Sequence, residues 1–369
     1  MESELILFHL LRLALGIEAS FSIPTSVNWQ EIIDLSEKHG ISALAWDGVQ
    51  RLYEANPRID IALYGLGMRQ VKFDWFGSAL QCEVRNDEVD NRCRELFDIY
   101  SHHGMQCCVL KGQGVAKLYP IPNHRQAGDI DLWVLGNRSH VLSVAKESGA
   151  RISHINVKHA EAKFSDDVPV ELHFTPGFLY NPVFNRRLAR WFEKNSVEQC
   201  DNYDKKVGFS FPTISFNLVY LMYHLFHHFL FEGVGLRQVT DYCCALMNSD
   251  EAQRNRAFEV IEKLGMKRFC GGLMWVMQEV YGLSDELLLC PSDEKEGRLL
   301  LEEFMFGAGF GRYDERNRRR YGRGILGTGI TRIKRACRFL THYPGEVLCV
   351  PFWKLWHWGW RAANGYLKT

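Results

Sequence analysis

The chain has 369 residues, 46% of them hydrophobic, which is enough for a substantial core and for two or three domains. Its 44 basic and 44 acidic residues balance, so net charge does not indicate a nucleic-acid or other polyanionic partner. The eleven cysteines include no C-x-x-C pair, which excludes the usual zinc spacings. An odd count is also a poor disulfide framework, so we expect mostly buried thiols and a cytoplasmic location.

No targeting or membrane segment is predicted. The apolar run at 5–15 is interrupted by His9 and Arg12 and lacks the positive flank of a signal peptide. The most apolar stretch, 216–231, contains Asn217 and three histidines and is too short to span a bilayer. We therefore expect no transmembrane segment.

Residues 1–100 carry the apolar spacing of helices and are predicted to form an N-terminal helical region. The patterns over 4–16 and 29–39 each end at a glycine, a common C-terminal cap. A longer pattern covers 61–100 and is broken from the preceding segment by Pro57. Its charged centre, 83–95, is typical of a solvated helix face, with a binding surface as the alternative.

From about residue 104 the apolar runs shorten and are separated by turns, which predicts strands. We expect strands near 106–110, 129–135, 150–155, 160–165 and 168–174, and helices near 112–119 and 139–148. Side chains alternate along a strand, so Asp129 and Asp131 should project from one face. Two close carboxylates repel, and a shared hard cation such as Mg²⁺ removes the conflict. Glu171, on a later predicted strand, supplies a third acid.

A glycine-containing turn precedes these acids. Lys111-Gly112-Gln113-Gly114 follows an apolar run and opens a predicted helix. Glycine lets the backbone approach a ligand closely, and N–H groups at the start of a helix face a phosphate placed there. An ordinary strand-to-helix turn is the alternative.

Beyond about residue 210 the pattern is helical again. His224, His227 and His228 share one helix face, and with no acid placed to complete a metal site we predict a packed histidine cluster. A metal-binding face is the alternative. Arg237 and Asp241 lie one helical turn apart, so they either pair with each other or reach into a cleft.

The last eighty residues separate by charge and then become aromatic. Acids cluster over 285–303, and a basic segment follows that begins at Arg312 and ends at Arg338. This segment is a candidate contact for a polyanion, or it offsets the acidic residues before it. In the tail, tryptophans recur at helical spacing from Trp353 to Trp360, which favours a core or dimer contact over a membrane interface.

Taken together, these motifs resemble a known superfamily. Lys111-Gly112 after an apolar run, Arg125, Gly128-Asp129-Ile130-Asp131-Leu132 and Glu171-Leu172-His173 are similar to the DNA polymerase β superfamily of nucleotidyltransferases. Within it, the chain resembles the bacterial family of uncharacterised nucleotidyltransferases, and the stretch 227–241 shares that resemblance. One departure is the turn, since the superfamily usually carries Gly-Gly or Gly-Ser where this chain has Lys111-Gly112-Gln113.

The resemblance implies an α+β fold. A polymerase β-like core over 101–210, with a small mixed sheet and helices, would be flanked by the helical regions 1–100 and 211–369. The implied activity is metal-dependent transfer of a nucleoside monophosphate from a nucleoside triphosphate to an acceptor hydroxyl, with release of pyrophosphate. The acceptor stays open among small molecules, sugars, proteins and RNA.

The resemblance also implies roles for individual residues. Asp129, Asp131 and Glu171 would be catalytic and would hold two Mg²⁺ ions, with Mn²⁺ as the alternative. The residues implied to contact the nucleotide, such as ATP, are Lys111, Gly112, Gln113, Arg125 and Gly128. The residues implied to orient the site residues, without contacting the metal or nucleotide themselves, are His173, Arg237 and Asp241. A module that binds a nucleotide or partner without turnover is the alternative function, and RNA binding through the arginines is a third.

Overall fold

The computed structural model describes residues 2–24, 27–55, 68–165, 167–309 and 334–366, and elements are numbered within those ranges. The N-terminal helices are α1 (Glu2–Ala14), α2 (Trp29–His39), α3 (Ser42–Ala55) and α4 (Met68–His102). The predicted helices are confirmed, and α2 ends at Gly40 in the left-handed conformation expected of its cap, with φ 69°. Pro57 and the first residues of the predicted long helix lie outside the described ranges.

The central part alternates strands and helices, as predicted. In chain order it comprises β1 (Cys107–Leu110), α5 (Gly112–Ala116), a 3₁₀ turn (Pro122–His124), β2 (Ile130–Val134), α6 (Arg138–Glu147), β3 (Arg151–Ser153), β4 (His159–Lys163) and β5 (Val170–His173). Helix α7 (Pro182–Asp201) and the two-stranded β6 (Tyr203–Asp204) and β7 (Phe209–Ser210) follow. Observed strands are one to three residues shorter than the predicted runs, because their outermost residues continue into turns.

Five of these strands form one mixed sheet with the order β1-β2-β5-β4-β3. Strands β2 and β5 run parallel, and the other neighbours are antiparallel. The parallel register places Asp131 directly opposite Glu171. The fold is therefore α+β, with a small mixed sheet and flanking helices, as the resemblance implied.

The C-terminal part is helical in all that is described. It comprises α8 (Ile214–Phe231), α9 (Leu236–Met247), α10 (Glu251–Lys263), α11 (Lys267–Tyr281), a 3₁₀ turn (Asp285–Leu287), α12 (Glu294–Phe306), α13 (Pro344–Val347) and α14 (Val350–Ala363). Among the described helices, none combines the length and apolar character needed to cross a bilayer.

Two apolar clusters cover the two faces of the sheet. Ile130, Leu132 and Val134 of β2 face a cluster shared with α4 and α6. Trp133 faces a larger cluster built from the N-terminal and C-terminal helices. Because side chains alternate along β2, Asp131 lies on the same face as Trp133. The strand acids are thereby placed under the helical layer contributed by the two ends of the chain.

The charged centre of α4 has a solvated side, as predicted, and an inner side. Glu88 and Glu95 are 55% and 61% exposed. Arg94 Nε donates to the Val207 carbonyl at 2.8 Å, and Glu83 contacts His124 at 2.8 Å. Asn86, fully buried in the same stretch, donates to the carbonyls of Asn123 and Arg125 at 2.9 Å each. The prediction of a solvated face therefore holds for the outward acids, while polar groups on the inner side of α4 are partners of backbone carbonyls in neighbouring elements.

The predicted histidine cluster is packed, with one correction. His224 Nε2 and His228 Nε2 lie 3.0 Å apart, and His227 stacks on Tyr180. The prediction placed no acid beside the cluster, but Glu232 lies one turn beyond His228 and contacts its Nδ1 at 2.7 Å. His228 is therefore hydrogen-bonded on both ring nitrogens, to His224 one turn before it and to Glu232 one turn after it.

The tryptophan stripe of α14 is only partly buried. Trp353 stacks on Phe178 with ring centroids 4.4 Å apart, so it packs against the core region. Trp356 lies beside Trp353, with ring centroids 6.1 Å apart, but it is largely exposed, as are Phe352 and Leu355. The core prediction therefore holds for Trp353, and the dimer contact stays a prediction.

Candidate active site

Three carboxylates converge at the ends of β2 and β5. Asp131 and Glu171 are opposite one another in the parallel register, and Asp129 precedes β2 by one residue. One oxygen from each acid lies within 4.8 Å of the others. The exposed fraction of the side chain increases across the group, from 0% for Asp131 to 25% for Glu171 and 38% for Asp129. The group therefore has a buried end on the sheet and an open end at Asp129.

Lys111 lies against this group. Its Nζ is 2.7 Å from Asp131 Oδ2 and 3.8 Å from Asp129 Oδ1. Burial alone would lower the lysine pKa, but the charges of Asp129, Asp131 and Glu171 outweigh burial and raise it above its usual range. Lys111 is thus a permanently charged cation in contact with two of the three acids.

Two histidines approach the acids from the sheet. His173 Nε2 lies 2.8 Å from Asp131 Oδ1 and 3.1 Å from Glu171 Oε2, and His159 Nδ1 lies 2.7 Å from Glu171 Oε2. Burial would raise the pKa of Glu171, but the hydrogen bonds of His159 and His173 lower it well below its usual range. Burial likewise opposes ionisation of Asp131, and Lys111 and His173 overcome it to lower its pKa. Both acids are therefore ionised at neutral pH.

The donor set fits a divalent cation. Carboxylate oxygens are the ligands that Mg²⁺ and Mn²⁺ prefer. Both oxygens of Asp131 are buried, and Lys111 and His173 approach them within 3 Å. Lys111 supplies one positive charge for the three acids, so a divalent cation would offset the negative charge that remains.

The turn before the acids is conformationally unusual. Lys111 has φ 39° and Gly112 has φ 44°, and only the second is a residue that adopts positive φ without strain. A Cβ on Gly114 would lie 2.7 Å from Phe211 Cβ, so glycine is required there by close packing. Gln113 turns the other way, and its amide donates to Asp90 at 2.6 Å and Asn86 at 3.1 Å. Its side chain is thus committed to α4.

The two predicted arginines differ in their partners. Arg125 is buried and donates from Nε and Nη2 to the two oxygens of Asp241, each at 2.7 Å. Asp241 therefore pairs with Arg125 and not with Arg237. Of the two alternatives for Arg237, pairing with Asp241 is excluded, and the residue lines the cleft instead. Arg237 instead donates to the Gln126 carbonyl at 3.3 Å and lies over Gly128. Burial, and then the charge of Arg125, lower the pKa of Arg237.

A cleft between the sheet and helices α8 and α9 joins these groups. Its lining residues are Lys111, Gly112, Arg125, Gly128, Asp129, Leu221, His224, Leu225, Arg237, Gln238 and Asp241. Seven of the predicted site residues are among them, while Asp131, Glu171 and His173 lie at the sheet beside Asp129 and Lys111. The arrangement offers a cation site next to a basic cleft, which suits a phosphate-bearing ligand.

The match to a protein family agrees with this geometry. The model of a family described as "Uncharacterised nucleotidyltransferase" matches residues 25–282, more than half of the chain. The chain belongs to this family. None of the curated proteins compared with it matches.

The match extends well beyond the motif residues. It begins before α2 and ends after α11, so it includes many of the helices that cover the acidic face of the sheet. Helices α8 and α9, which provide one wall of the cleft, are therefore part of the family's matched region. Helices α12 to α14 fall outside it.

Several residues around the candidate site were missed by sequence reasoning. His159 was not singled out because a histidine at the start of a short strand carries no distinctive pattern, and only the register places it opposite His173. Tyr119 donates to Asp241 Oδ1 at 2.7 Å, and Asn86 holds the loop before Asp129. Their partners lie 37 to 122 residues away, so no local spacing could have indicated them.

Proposed function

We propose that the chain is a metal-dependent nucleotidyltransferase that moves a nucleoside monophosphate from a nucleoside triphosphate to an acceptor hydroxyl. The observation that carries the proposal is the pairing of Asp131 with Glu171 on adjoining parallel strands, with Asp129 at the cleft. Membership of a nucleotidyltransferase family supports the reaction class.

Asp129, Asp131 and Glu171 are the residues that would hold Mg²⁺ or Mn²⁺. When bound, such ions supply charge neutralisation on the triphosphate and lower the pKa of the acceptor hydroxyl. In the reaction, a bond forms between the acceptor oxygen and the α-phosphorus, the bond to pyrophosphate breaks, and the hydroxyl proton passes to water. Little covalent chemistry is left to the protein, so its residues act by position and charge.

The cleft supplies the remaining charges. Lys111 is within reach of both Asp129 and the cleft, and Arg237, which lines the cleft, donates to the Gln126 carbonyl. Both are suited to phosphate oxygens. Arg125 is saturated by Asp241, so its role in this proposal is to fix the loop that carries Gly128 and Asp129.

Pyrophosphate release tests the proposal. Purified protein would be incubated with each of the four nucleoside triphosphates, Mg²⁺ or Mn²⁺, and fractions of a cell extract that supply acceptors. We expect release with at least one triphosphate, and its loss in Asp129→Asn, whose side chain is open enough to leave the melting temperature unchanged. Asp98→Asn, an exposed acid on α4, is the matched control. Equal turnover in Asp129→Asn and wild type would refute the site.

One observation favours a second candidate, a module that binds nucleotides without turnover. Lys111 Nζ already neutralises Asp131 at 2.7 Å, and the turn carries Lys111 and Gln113 where the superfamily usually has small residues. This candidate predicts saturable triphosphate binding, measured by calorimetry, with no pyrophosphate formed in any extract fraction.

A further inference from the structure

The imidazoles of His159 and His173 both contact Glu171. Their nitrogens and one Glu171 oxygen lie within 4.8 Å of one another, as do the oxygens of Asp129, Asp131 and Glu171. His159 and His173 are opposite residues on the antiparallel strands β4 and β5. Glu171 is the member common to both groups, so two three-ligand groups share one bridging carboxylate.

The three ligand atoms of the histidine group lie close together. His159 Nδ1 is buried and 2.7 Å from Glu171 Oε2, and His173 Nε2 hydrogen-bonds with the same oxygen at 3.1 Å. His173 Nε2 also lies 2.8 Å from Asp131 Oδ1. Neighbouring ligand atoms are about 3 Å apart when each is about 2.0–2.2 Å from a shared ion, so the spacing of this group fits a bound cation.

The chemistry of the two groups differs. The acid group offers only oxygen, which suits Mg²⁺. The histidine group offers two imidazole nitrogens and one carboxylate, a set that suits Mn²⁺, Fe²⁺, Co²⁺ or Zn²⁺ better than Mg²⁺. Lys111 contacts Asp129 and Asp131 and so lies beside the acid group.

We propose that His159, His173 and Glu171 form a second cation site that selects a divalent transition metal, next to an all-oxygen site at Asp129, Asp131 and Glu171. The inference rests on the proposed function for the oxygen site, and it goes beyond it by assigning nitrogen ligands and a metal class to the other position. Glu171 links the two positions.

Electron paramagnetic resonance tests this site without reference to turnover. Chelator-treated full-length protein would be titrated with Mn²⁺, and nitrogen hyperfine couplings would be measured by electron spin-echo modulation. We expect couplings from two imidazoles in the wild type and from one in His159→Gln, together with at least about tenfold weaker Zn²⁺ binding by calorimetry. His140→Gln, an exposed histidine on α6, is the control and should match the wild type.

Asp129→Asn separates the two positions. It removes an oxygen ligand of the first site, so we expect it to keep both nitrogen couplings. Mn²⁺ bound without nitrogen coupling, or no Mn²⁺ binding at millimolar concentration, would overturn the inference and make the histidines braces for Glu171. Magnesium-dependent pyrophosphate release without nitrogen coupling would refute this site alone, and coupling without any release would instead refute the proposed function.

Discussion

Two arginines at the cleft show how partners separate structural from ligand-binding roles at the residue scale. Arg125 makes a buried two-point ion pair with Asp241, and Tyr119 donates to the same carboxylate. Arg237 makes one backbone contact, to the Gln126 carbonyl, and is half-buried. A buried charge that loses its partner is costly. We therefore infer that the Arg125–Asp241 pair stabilises the fold, whereas Arg237 is the arginine placed to bind a ligand.

We therefore predict opposite signatures for the two arginines. Arg125→Ala should lower the free energy of unfolding by about 3–5 kcal/mol, since it leaves Asp241 buried and uncompensated. Arg237→Gln should change stability by less than about 0.5 kcal/mol but weaken triphosphate binding by about 1–3 kcal/mol. Urea unfolding and calorimetric binding measure the two quantities. A stability loss in Arg237→Gln as large as in Arg125→Ala would contradict the division.

Lys111 combines a charge that contacts two acids with a backbone conformation that disfavours any side chain. Its φ of 39° costs on the order of 1–3 kcal/mol for a residue with a Cβ. Lys111→Ala and Lys111→Gly both remove the charge, but only the glycine relieves the backbone. We expect Lys111→Gly to be more stable than Lys111→Ala by about 1 kcal/mol, measured by urea unfolding.

The same pair of variants also tests the role of the charge. Both should weaken triphosphate binding alike, by about 1–3 kcal/mol, because each lacks the ammonium group. Unchanged nucleotide affinity in both would leave Lys111 with a structural role, as the counter-charge of Asp131.

At the scale of elements, α13 is attached to the loop before α7 by a buried carboxylate and by the Asn181 side chain, which donates to the Gly345 carbonyl at 3.1 Å. Buried Glu346 accepts backbone N–H groups of Tyr180 at 2.7 Å and Asn181 at 3.1 Å. Burial raises its pKa to about 7, against the opposing effect of these two hydrogen bonds. The short helix, and α14 behind it, therefore depend on an acid that titrates near neutral pH.

The pH dependence of stability follows from that pKa. The folded state binds the Glu346 proton more tightly than the unfolded state, so this contribution is complete below about pH 4.5 and is lost as the pH rises to about 7. Glu346→Gln removes it. We expect the stability of the wild type, relative to that variant, to fall by about 3 kcal/mol between pH 4 and pH 8. Thermal unfolding across this range, with the exposed Glu193→Gln as control, measures it. A constant difference would contradict the assignment.

The elements were predictable to the extent that their signals are local. Alternation along 129–135 indicated both the strand and the common face of Asp129 and Asp131, and the glycine after 29–39 indicated the end of α2. The register that places Asp131 opposite Glu171 depends on packing between residues forty apart, and the one that places His159 opposite His173 on packing between residues fourteen apart. The roles of Gln113 and Arg125 were not predictable for the same reason, since their partners lie on α4 and α9.

The whole molecule is joined by one apolar cluster that crosses the predicted region boundaries. It contains residues of α1 to α3, of β1 and β2, and of α8 to α14. Arg12 on α1 donates to the Val280 carbonyl of α11 at 3.0 Å, and His39 accepts the Leu236 N–H at 3.3 Å. The boundaries at residues 100 and 210 thus stay predictions, and the packing gives the two helical ends a common core.

The acidic segment 285–303 and the basic segment 312–338 contact each other at the positions that the structure describes. Most of the basic segment 312–338 lies outside the described ranges, so polyanion binding by it stays a prediction. Within the described part, Arg335 Nη2 lies 3.2 Å from Glu303 Oε2, and Arg338 Nη1 lies 3.5 Å from Glu303 Oε1. At these two positions the basic segment offsets the acidic segment of the same chain, one of its two predicted roles.

A shared core predicts cooperative unfolding. The N-terminal and C-terminal helices bury one another and one face of the sheet. Separating either end would therefore expose a large apolar area, at a free-energy cost of about 25 cal/mol per Å². We expect urea unfolding followed by tryptophan fluorescence and by far-ultraviolet circular dichroism to give coincident midpoints, the sign of a single transition. Leu10→Ala, fully buried on α1, should lower both midpoints equally, with a loss of about 2–5 kcal/mol. Exposed Leu5→Ala on the same helix is the control and should change neither. Separate midpoints, or a protease-resistant fragment confined to residues 101–210, would show instead that the sheet folds independently of its helical cover.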